Sequence, residues 1–116
     1  MGAPLTLIGA LGGHADARDL TIISNNLGEP GRGLGRLLLD GRVRKAVGSY
    51  FTSNPDVVRA QLDGSLQVEP VPQGTLAESI RAGLAGIGGF FTKTGLGTAL
   101  TEGCEERVIR GERNVL

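Results

Sequence analysis

Apolar and polar positions follow one another along the chain in blocks that predict strands alternating with helices. Short apolar, β-branched runs at 19–24, 43–50 and 66–71 are each bounded by polar or glycine-containing segments, as is typical of strands. Helical patterns cover 4–13, 35–39, 55–62 and 75–82. This alternation favours parallel pairing, so we expect an α/β protein with an open, mainly parallel sheet and flanking helices.

Helix boundaries carry their own signals. The first helix is uncharged from end to end and is predicted to be buried, with Gly12-Gly13 as its stop. Ser53 or Asn54 is expected to cap the third helix, because a proline at the first helical position follows. Thr75 and Glu78 have the spacing of a capping box, which predicts that the fourth helix begins at Thr75.

The last third of the chain is less regular. Residues 86–97 are rich in glycine and predict a short strand mixed with loops. Residues 106–109 and 114–116 predict a hairpin that turns at Arg110-Gly111 or Gly111-Glu112. The chain opens on a helix with no strand before it and stops after a strand, so we expect a single partial domain over 1–116, incomplete at both ends.

Composition narrows the function classes. The 116 residues include twelve basic and twelve acidic side chains, and this balance disfavours nucleic-acid binding. No apolar stretch is long enough to cross a membrane, and a single cysteine suits a reducing compartment, which predicts a cytoplasmic protein. Twenty glycines and only 3% aromatic residues leave little material for a core, which predicts a surface buried against a partner.

Carboxamide side chains follow two of the predicted strands. Asn25 and Asn26 come after the first strand and Gln73 after the third, so we expect them at adjacent strand ends on the ligand-binding edge of the sheet. Carboxamides cannot act as bases or nucleophiles, but they donate hydrogen bonds to an oxyanion or a carboxylate. Alternatively, the asparagines satisfy loop backbone groups and Gln73 helps to cap a helix.

Other reactive residues give weaker signals. His14 is the single histidine, which excludes a histidine-based metal cluster, and we interpret it as an ordinary loop residue. Cys104 is the single cysteine and is interpreted as a passive thiol. The glycines at 31, 33 and 35 lack the spacing of a dinucleotide-binding loop, and no Walker lysine follows them. They indicate a flexible turn that lets a ligand approach backbone amides.

Several strings resemble the α subunit of family I CoA-transferases, the acetate/acetoacetate and 3-oxoacid group. The resemblance extends over nearly the whole chain, in order and spacing. It is carried by TIISNN (21–26), GLGRLLLDGRVRKAVGSYFTSNP (33–55), VEPVPQGTLAESIRAG (68–83), AGIGGFFTKTGLGT (85–98) and EGCEERVIRGERNVL (102–116).

The resemblance implies an enzyme that moves coenzyme A from an acyl-CoA, of the acetoacetyl-CoA or succinyl-CoA type, to a free carboxylic acid. In the family, the β subunit supplies a glutamate that attacks the thioester and then carries CoA as a glutamyl thioester. The implied partner is therefore a β subunit in a hetero-oligomer. No cofactor is implied, because the CoA thioester is a substrate.

The same resemblance assigns roles to residues of this chain. Gln73, in VPQGT, matches the glutamine of the family's oxyanion hole, and Asn25 matches its partner asparagine. Asn26 and Gly74 are implied to shape the same pocket for substrate. The sequence departs from the family at Leu27, where alanine is common and where leucine is expected to narrow the pocket. It departs again at Lys93, where proline is usual, and the family's α subunit is longer than this chain.

Two other functions stay open at this point. A non-catalytic interaction or ligand-binding module would keep the fold without turning over a substrate. A sugar-phosphate isomerase of related architecture would need carboxylates and basic residues at the strand ends, where this chain has amides.

Overall fold

The computed structural model describes residues 3–116, which form two compact units. The first unit extends to Glu69 and the second comprises Pro70–Leu116. The interpretation of 1–116 as one partial domain stays a prediction. In chain order the helices and strands are α1 (Leu5–Gly13), β1 (Leu20–Ile23), α2 (Leu34–Leu39), β2 (Val43–Gly48), α3 (Pro55–Leu62), β3 (Gln67–Pro70), α4 (Gln73–Leu84), β4 (Glu106–Ile109) and β5 (Glu112–Val115).

The first three strands form one sheet, in the order β1-β2-β3. β1 and β2 run parallel, with Thr21 opposite Lys45 and Ile23 opposite Val47. Each strand is separated from the next by a helix, as the alternating pattern indicated. The predicted α/β class with a parallel sheet and flanking helices is therefore confirmed.

The core of the first unit lies where α2, α3 and the loop after β1 cover the sheet. Val57 on α3 and Ala46 on β2 are fully buried, and Leu37 on α2 is 1% exposed. Strand β1 is only half-buried, because intermediate and exposed residues alternate along it and Ile23 is 59% exposed. The core is completed by Leu27, Leu38, Val43 and Leu66.

Helix α1 confirms the predicted helix but not its burial. None of its nine residues is buried, and Leu7 is 70% exposed. The prediction of burial was wrong because it took the apolar character of the whole helix as a sign of contact on all sides. In the structure only Ile8 and Leu11 of α1 pack against the core. The helix end is held by a distant side chain: Nη1 of Arg42 donates to the carbonyl oxygens of His14 (2.7 Å) and Leu11 (3.3 Å).

The starts of α3 and α4 test two predicted caps. Asn54 is the N-cap of α3, as predicted, and its Oδ1 accepts the backbone N–H of Asp56 at 3.0 Å. The predicted capping box at Thr75 is wrong, because α4 begins at Gln73 and Thr75 lies inside its first turn. The backbone N–H of residue 76 already donates to the Pro72 carbonyl at 2.8 Å.

The second unit contains α4 and an antiparallel hairpin of β4 and β5. The hairpin turns at Arg110-Gly111, where both residues have positive φ, 54° and 81°. β5 begins two residues earlier than the sequence indicated. In place of the short strand predicted within 86–97, the structure has a single bridge between Thr92 and Val115. A short 3₁₀ turn follows at Ala99–Thr101.

None of the helices within residues 3–116 combines the length and the apolar character that crossing a bilayer requires.

Candidate functional site

The segment that follows β1, residues 24–28, is called here the asparagine loop. Its first residue extends the sheet, because the backbone N–H of Ser24 donates to the Val47 carbonyl at 3.0 Å. The Asn25 carbonyl then accepts two backbone N–H groups, from Ser49 at 3.1 Å and from Tyr50 at 2.8 Å. The backbone of Asn25 is therefore fixed by the segment that follows β2.

The Asn25 side chain projects from this fixed backbone and is exposed. Within residues 3–116 it makes no hydrogen bond, so both of its N–H donors are available to a ligand. The alternative in which Asn25 satisfies the loop backbone with its side chain does not hold. Its backbone carbonyl, not its carboxamide, makes the loop contacts.

Asn26 uses its side chain differently. Its Oδ1 accepts the backbone N–H of Gly28 at 2.8 Å, which closes an Asx turn inside the loop. Asn26 is half-buried and stabilises the loop, as the alternative interpretation held, whereas its contact with substrate stays a prediction. Leu27, expected to narrow a pocket, is 1% exposed and packs into the core of the first unit.

Gln73 and Gly74 are the first two residues of α4, and both are exposed. Backbone N–H groups in the first turn of a helix have no partner within the helix, and they carry the positive end of its dipole. Within the described chain the Gln73 carboxamide makes no hydrogen bond either. The second unit therefore presents a free side-chain donor beside unpaired backbone donors, an arrangement suited to an oxygen that bears negative charge.

The prediction that these residues follow adjacent strands is wrong. β2 lies between β1 and β3, so the end of β1 neighbours the end of β2 and not that of β3. The alternation of strands and helices predicts parallel pairing, but it does not specify the order of strands in the sheet. The structure consequently brings Ser49 and Tyr50 beside the asparagine loop.

Sequence reasoning missed these two residues because it placed them inside the second strand, whereas the strand ends at Gly48. Tyr50 is 60% exposed at the end of the central strand. The hydroxyl oxygen of Ser49 is buried and has no hydrogen-bond partner within residues 3–116. If the second strand had been predicted to end at Gly48, residues 49 and 50 would have been assigned to a second strand-end loop.

Candidate residues outside these loops are engaged in other contacts or lie alone. The turn at residues 31–33 borders a groove of about 430 Å³ beside α1. The two arginines of that groove are paired, Arg36 with Asp40 at 3.0 Å and Arg32 with Glu29 at 3.7 Å. Cys104 is an exposed free thiol. No three His, Cys, Asp or Glu side chains come together as a metal site within residues 3–116.

Two charged residues of the second unit, Glu78 and Lys93, are each paired with an oppositely charged side chain. Lys93, where the family usually has proline, forms an ion pair with Glu112. On α4, the hydrogen bond from the Arg81 guanidinium lowers the pKa of the Glu78 carboxyl. Asn25, Asn26, Gln73 and Gly74 carry no titratable group. What these residues offer chemically is hydrogen-bond donation, not proton transfer or nucleophilic attack.

The first unit is an open α/β sheet, the class of proteins in which ligands bind at the carboxyl ends of the strands. Comparison with known proteins identifies the group within that class. Residues 1–116 match the family described as Coenzyme A transferase, and the chain belongs to that family. The resemblance drawn from its sequence is confirmed.

Three curated relatives give the comparison in detail. The chain is 50% identical over 99 residues to a probable succinyl-CoA:3-ketoacid coenzyme A transferase subunit of Bacillus subtilis, covering 85% of this chain and 42% of that protein. It is 43% identical over 112 residues to the alpha subunit of the acetate CoA-transferase of Escherichia coli, covering 97% and 50%. It is 51% identical over 102 residues to a 3-oxoadipate CoA-transferase subunit of Pseudomonas putida, covering 86% and 44%. The chain thus spans about half the length of these relatives.

Proposed function

We propose that this chain is part of an α-type subunit of an enzyme that transfers coenzyme A from an acyl-CoA to a free carboxylic acid. Family membership over residues 1–116 supports the reaction class. The observation that carries the proposal is that Asn25 and Gln73 have exposed carboxamides that make no hydrogen bond within residues 3–116. Donors held free of internal partners are available to a developing oxyanion.

The proposed reaction begins on a glutamate of a β-type partner subunit. Its carboxylate oxygen attacks the thioester carbonyl, and the carbonyl oxygen takes up the electron pair as an oxyanion. When this intermediate collapses, the C–S bond breaks, and CoA leaves as a thiolate beside an acyl-glutamyl anhydride. The thiolate then attacks the glutamyl carbonyl and releases the acyl group as a carboxylate. The acceptor acid takes CoA by the same steps in reverse.

Residues of this chain would act on the oxyanion. Gln73 and Asn25 would each donate an N–H to the oxygen that gains charge, and removal of one such donor typically costs about 10²–10³ in rate. Asn26 would keep the asparagine loop in shape, and Gly74 would leave the backbone around Gln73 open to substrate. The CoA thioester would be a substrate, with no cofactor required.

The relatives' names support a substrate class for the proposed reaction. They mention succinyl-CoA with 3-keto acids, acetate, and 3-oxoadipate, which are carboxylic acids or their CoA thioesters. The oxygen that the proposed donors bind belongs to the thioester carbonyl, which all acyl-CoA substrates share. We therefore propose that Asn25 and Gln73 support the chemistry without selecting the acyl group, in a hetero-oligomer of the cytoplasm.

The test is CoA transfer from acetoacetyl-CoA to acetate, measured with this chain by itself, with only a β-type partner, and with the two together. Intact mass is recorded on each sample. Activity that requires both chains is the expected result. No transfer in the mixture, with both masses correct and the chains associated, would contradict the proposal and favour a ligand-binding module.

A further inference from the structure

Asn54 joins α3 and the asparagine loop through one buried carboxamide. It is 1% exposed and lies at the N-terminus of α3. Its Oδ1 accepts the backbone N–H of Asp56 at 3.0 Å, and its Nδ2 donates to the Gly28 carbonyl at 3.2 Å. The oxygen of this side chain therefore caps α3, while its nitrogen binds the asparagine loop.

Both backbone polar groups of Gly28, the last residue of the asparagine loop, have hydrogen-bond partners. The N–H of Gly28 donates to Asn26 Oδ1 at 2.8 Å, while its carbonyl accepts from Asn54. The surroundings leave little space: a Cβ at Gly35 would lie 3.3 Å from Asn54 Nδ2 and 2.1 Å from the Glu29 carbonyl oxygen. α2 thus packs directly on this contact.

Both ends of the asparagine loop are tied to the same short segment, residues 49–54. At the start of the loop, the N–H groups of Ser49 and Tyr50 hold the Asn25 carbonyl, at 3.1 and 2.8 Å. At its end, Asn54 holds Gly28. A loop fixed at both ends offers Asn25 few alternative backbone conformations, which is the condition for a preorganised donor.

We propose that Asn54 is a positioning residue: by donating Nδ2–H to the Gly28 carbonyl, it holds the asparagine loop so that the Asn25 carboxamide is preorganised toward the oxyanion. The inference rests on the proposed function for its consequence in the reaction. The structural part, that Asn54 restrains the loop, stands independently of that function.

The substitution Asn54→Asp separates the two roles of the side chain. Aspartate is as good an N-cap as asparagine, so the α3 cap is kept, but an ionised carboxylate cannot donate to Gly28. We expect kcat for CoA transfer to fall at least tenfold with KM changed less than threefold. Asn114→Asp is the matched control, because Asn114 also donates its Nδ2 to a backbone carbonyl, that of Glu112 at 2.8 Å, and is 9% exposed. It should leave kcat within twofold of the parent chain.

Acidification gives a second readout of the lost hydrogen bond. Burial raises the pKa of a carboxyl group, and a protonated carboxyl can again donate a hydrogen bond. Turnover of Asn54→Asp relative to the parent should therefore rise as the pH is lowered. The charged side chains of the neighbouring segments are Asp56, paired with Arg59, Glu29, paired with Arg32, and Arg36 of α2, paired with Asp40. All six are the same in the variant and the parent chain. Asn54→Ser retains a capping oxygen without a charge or an amide, so it should lose turnover with no such recovery.

Hydrogen exchange of the peptide that covers residues 24–28 tests the restraint without any substrate. Exchange should become at least tenfold faster in Asn54→Asp and Asn54→Ser and stay unchanged in Asn114→Asp. Parental exchange in both Asn54 variants would overturn the restraint. Faster exchange with parental turnover would overturn the positioning role. Absence of transfer by the parent chain with its partner would instead contradict the proposed function, and exchange would still decide whether Asn54 restrains the loop.

Discussion

Gly48 lies so close to Ser24 that a Cβ atom at residue 48 would be 2.0 Å from the Ser24 carbonyl oxygen. The neighbouring atom is backbone and belongs to the residue just before Asn25. The last position of β2 therefore accepts only a residue without a side chain. This contact sets how closely the ends of β1 and β2 approach beneath the asparagine loop.

Gly48→Ala is expected to destabilise the first unit. The added methyl group must displace backbone, and overpacking of this kind typically costs about 1–3 kcal/mol. Denaturant unfolding measures the change. Gly9→Ala is the control within the same unit, because Gly9 is inside α1 with no atom within 4 Å of an added Cβ, and it should stabilise by about 0.5–1 kcal/mol. Equal unfolding midpoints for Gly48→Ala and the parent would contradict the close approach.

Gln73→Ala is expected to lower kcat for CoA transfer at least tenfold, toward the 10²–10³ that loss of one oxyanion donor typically costs. Because the side chain is exposed and makes no hydrogen bond within residues 3–116, stability and assembly with the partner should not change. Gln61→Ala, an exposed glutamine on α3, is the matched control. Turnover close to the parent would remove Gln73 from the mechanism.

The two neighbouring asparagines should respond differently to substitution. Asn25→Ala should reduce turnover at least tenfold with little change in stability, because only a free carboxamide is lost. Asn26→Ala should cost about 1 kcal/mol in stability, because the Gly28 N–H loses its acceptor. Asn26→Asp keeps that acceptor and should unfold like the parent. Paired assays of transfer and unfolding test this division, and a destabilised Asn25→Ala with an unaffected Asn26→Ala would reverse it.

The turn of the β4–β5 hairpin offers a stabilising substitution. Arg110 occupies a left-handed conformation, with φ of 54°, which asparagine adopts more readily than arginine. Arg110→Asn would create the Asn-Gly pair favoured in two-residue hairpin turns, and it should stabilise the second unit by about 0.5–1 kcal/mol. Arg113→Asn, in β5 and outside the turn, is the control and should not stabilise. Thermal unfolding checks both, and a lower midpoint for Arg110→Asn would contradict the turn assignment.

Acidification should weaken α4 through Glu78. The hydrogen bond from Arg81 lowers the pKa of this carboxyl below its usual 4.5, so the pair stabilises the folded state above that value and is lost as the pH falls through the lowered pKa. The stability difference between the parent and Glu78→Gln should therefore be present at neutral pH and vanish in strong acid. Unfolding at both pH values measures it. A difference that stays constant with pH would mean that the ion pair contributes nothing.

Local signals predicted the fold well where neighbouring residues decide the structure. Asn54 followed by Pro55 specified the start of α3, and the alternation of strands and helices specified the α/β class. The start of α4 was predicted two residues late, because the Thr75 and Glu78 spacing suited a capping box. In the structure Glu78 instead accepts from Arg81 within the same helix.

The candidate site depended more on contacts between distant residues. Asn25 and Gln73 were identified from strand ends and resemblance, and the structure leaves both side chains exposed. The tie between Asn54 and Gly28 joins residues 26 positions apart and has no signature in the hydrophobic pattern. The order of the strands, which places Tyr50 beside the asparagine loop, likewise depends on the packing of the whole sheet.

The Arg42 contacts at the end of α1 have a consequence for the order of folding events. A nine-residue helix is marginal by itself in water. The side chain that closes its last turn belongs to Arg42, which directly precedes β2. Arg42 lies 28 residues after His14 and 31 residues after Leu11 in the sequence. α1 thus gains its C-terminal closure only once β2 is near its final place, and we expect the helix to consolidate with the sheet rather than to nucleate it.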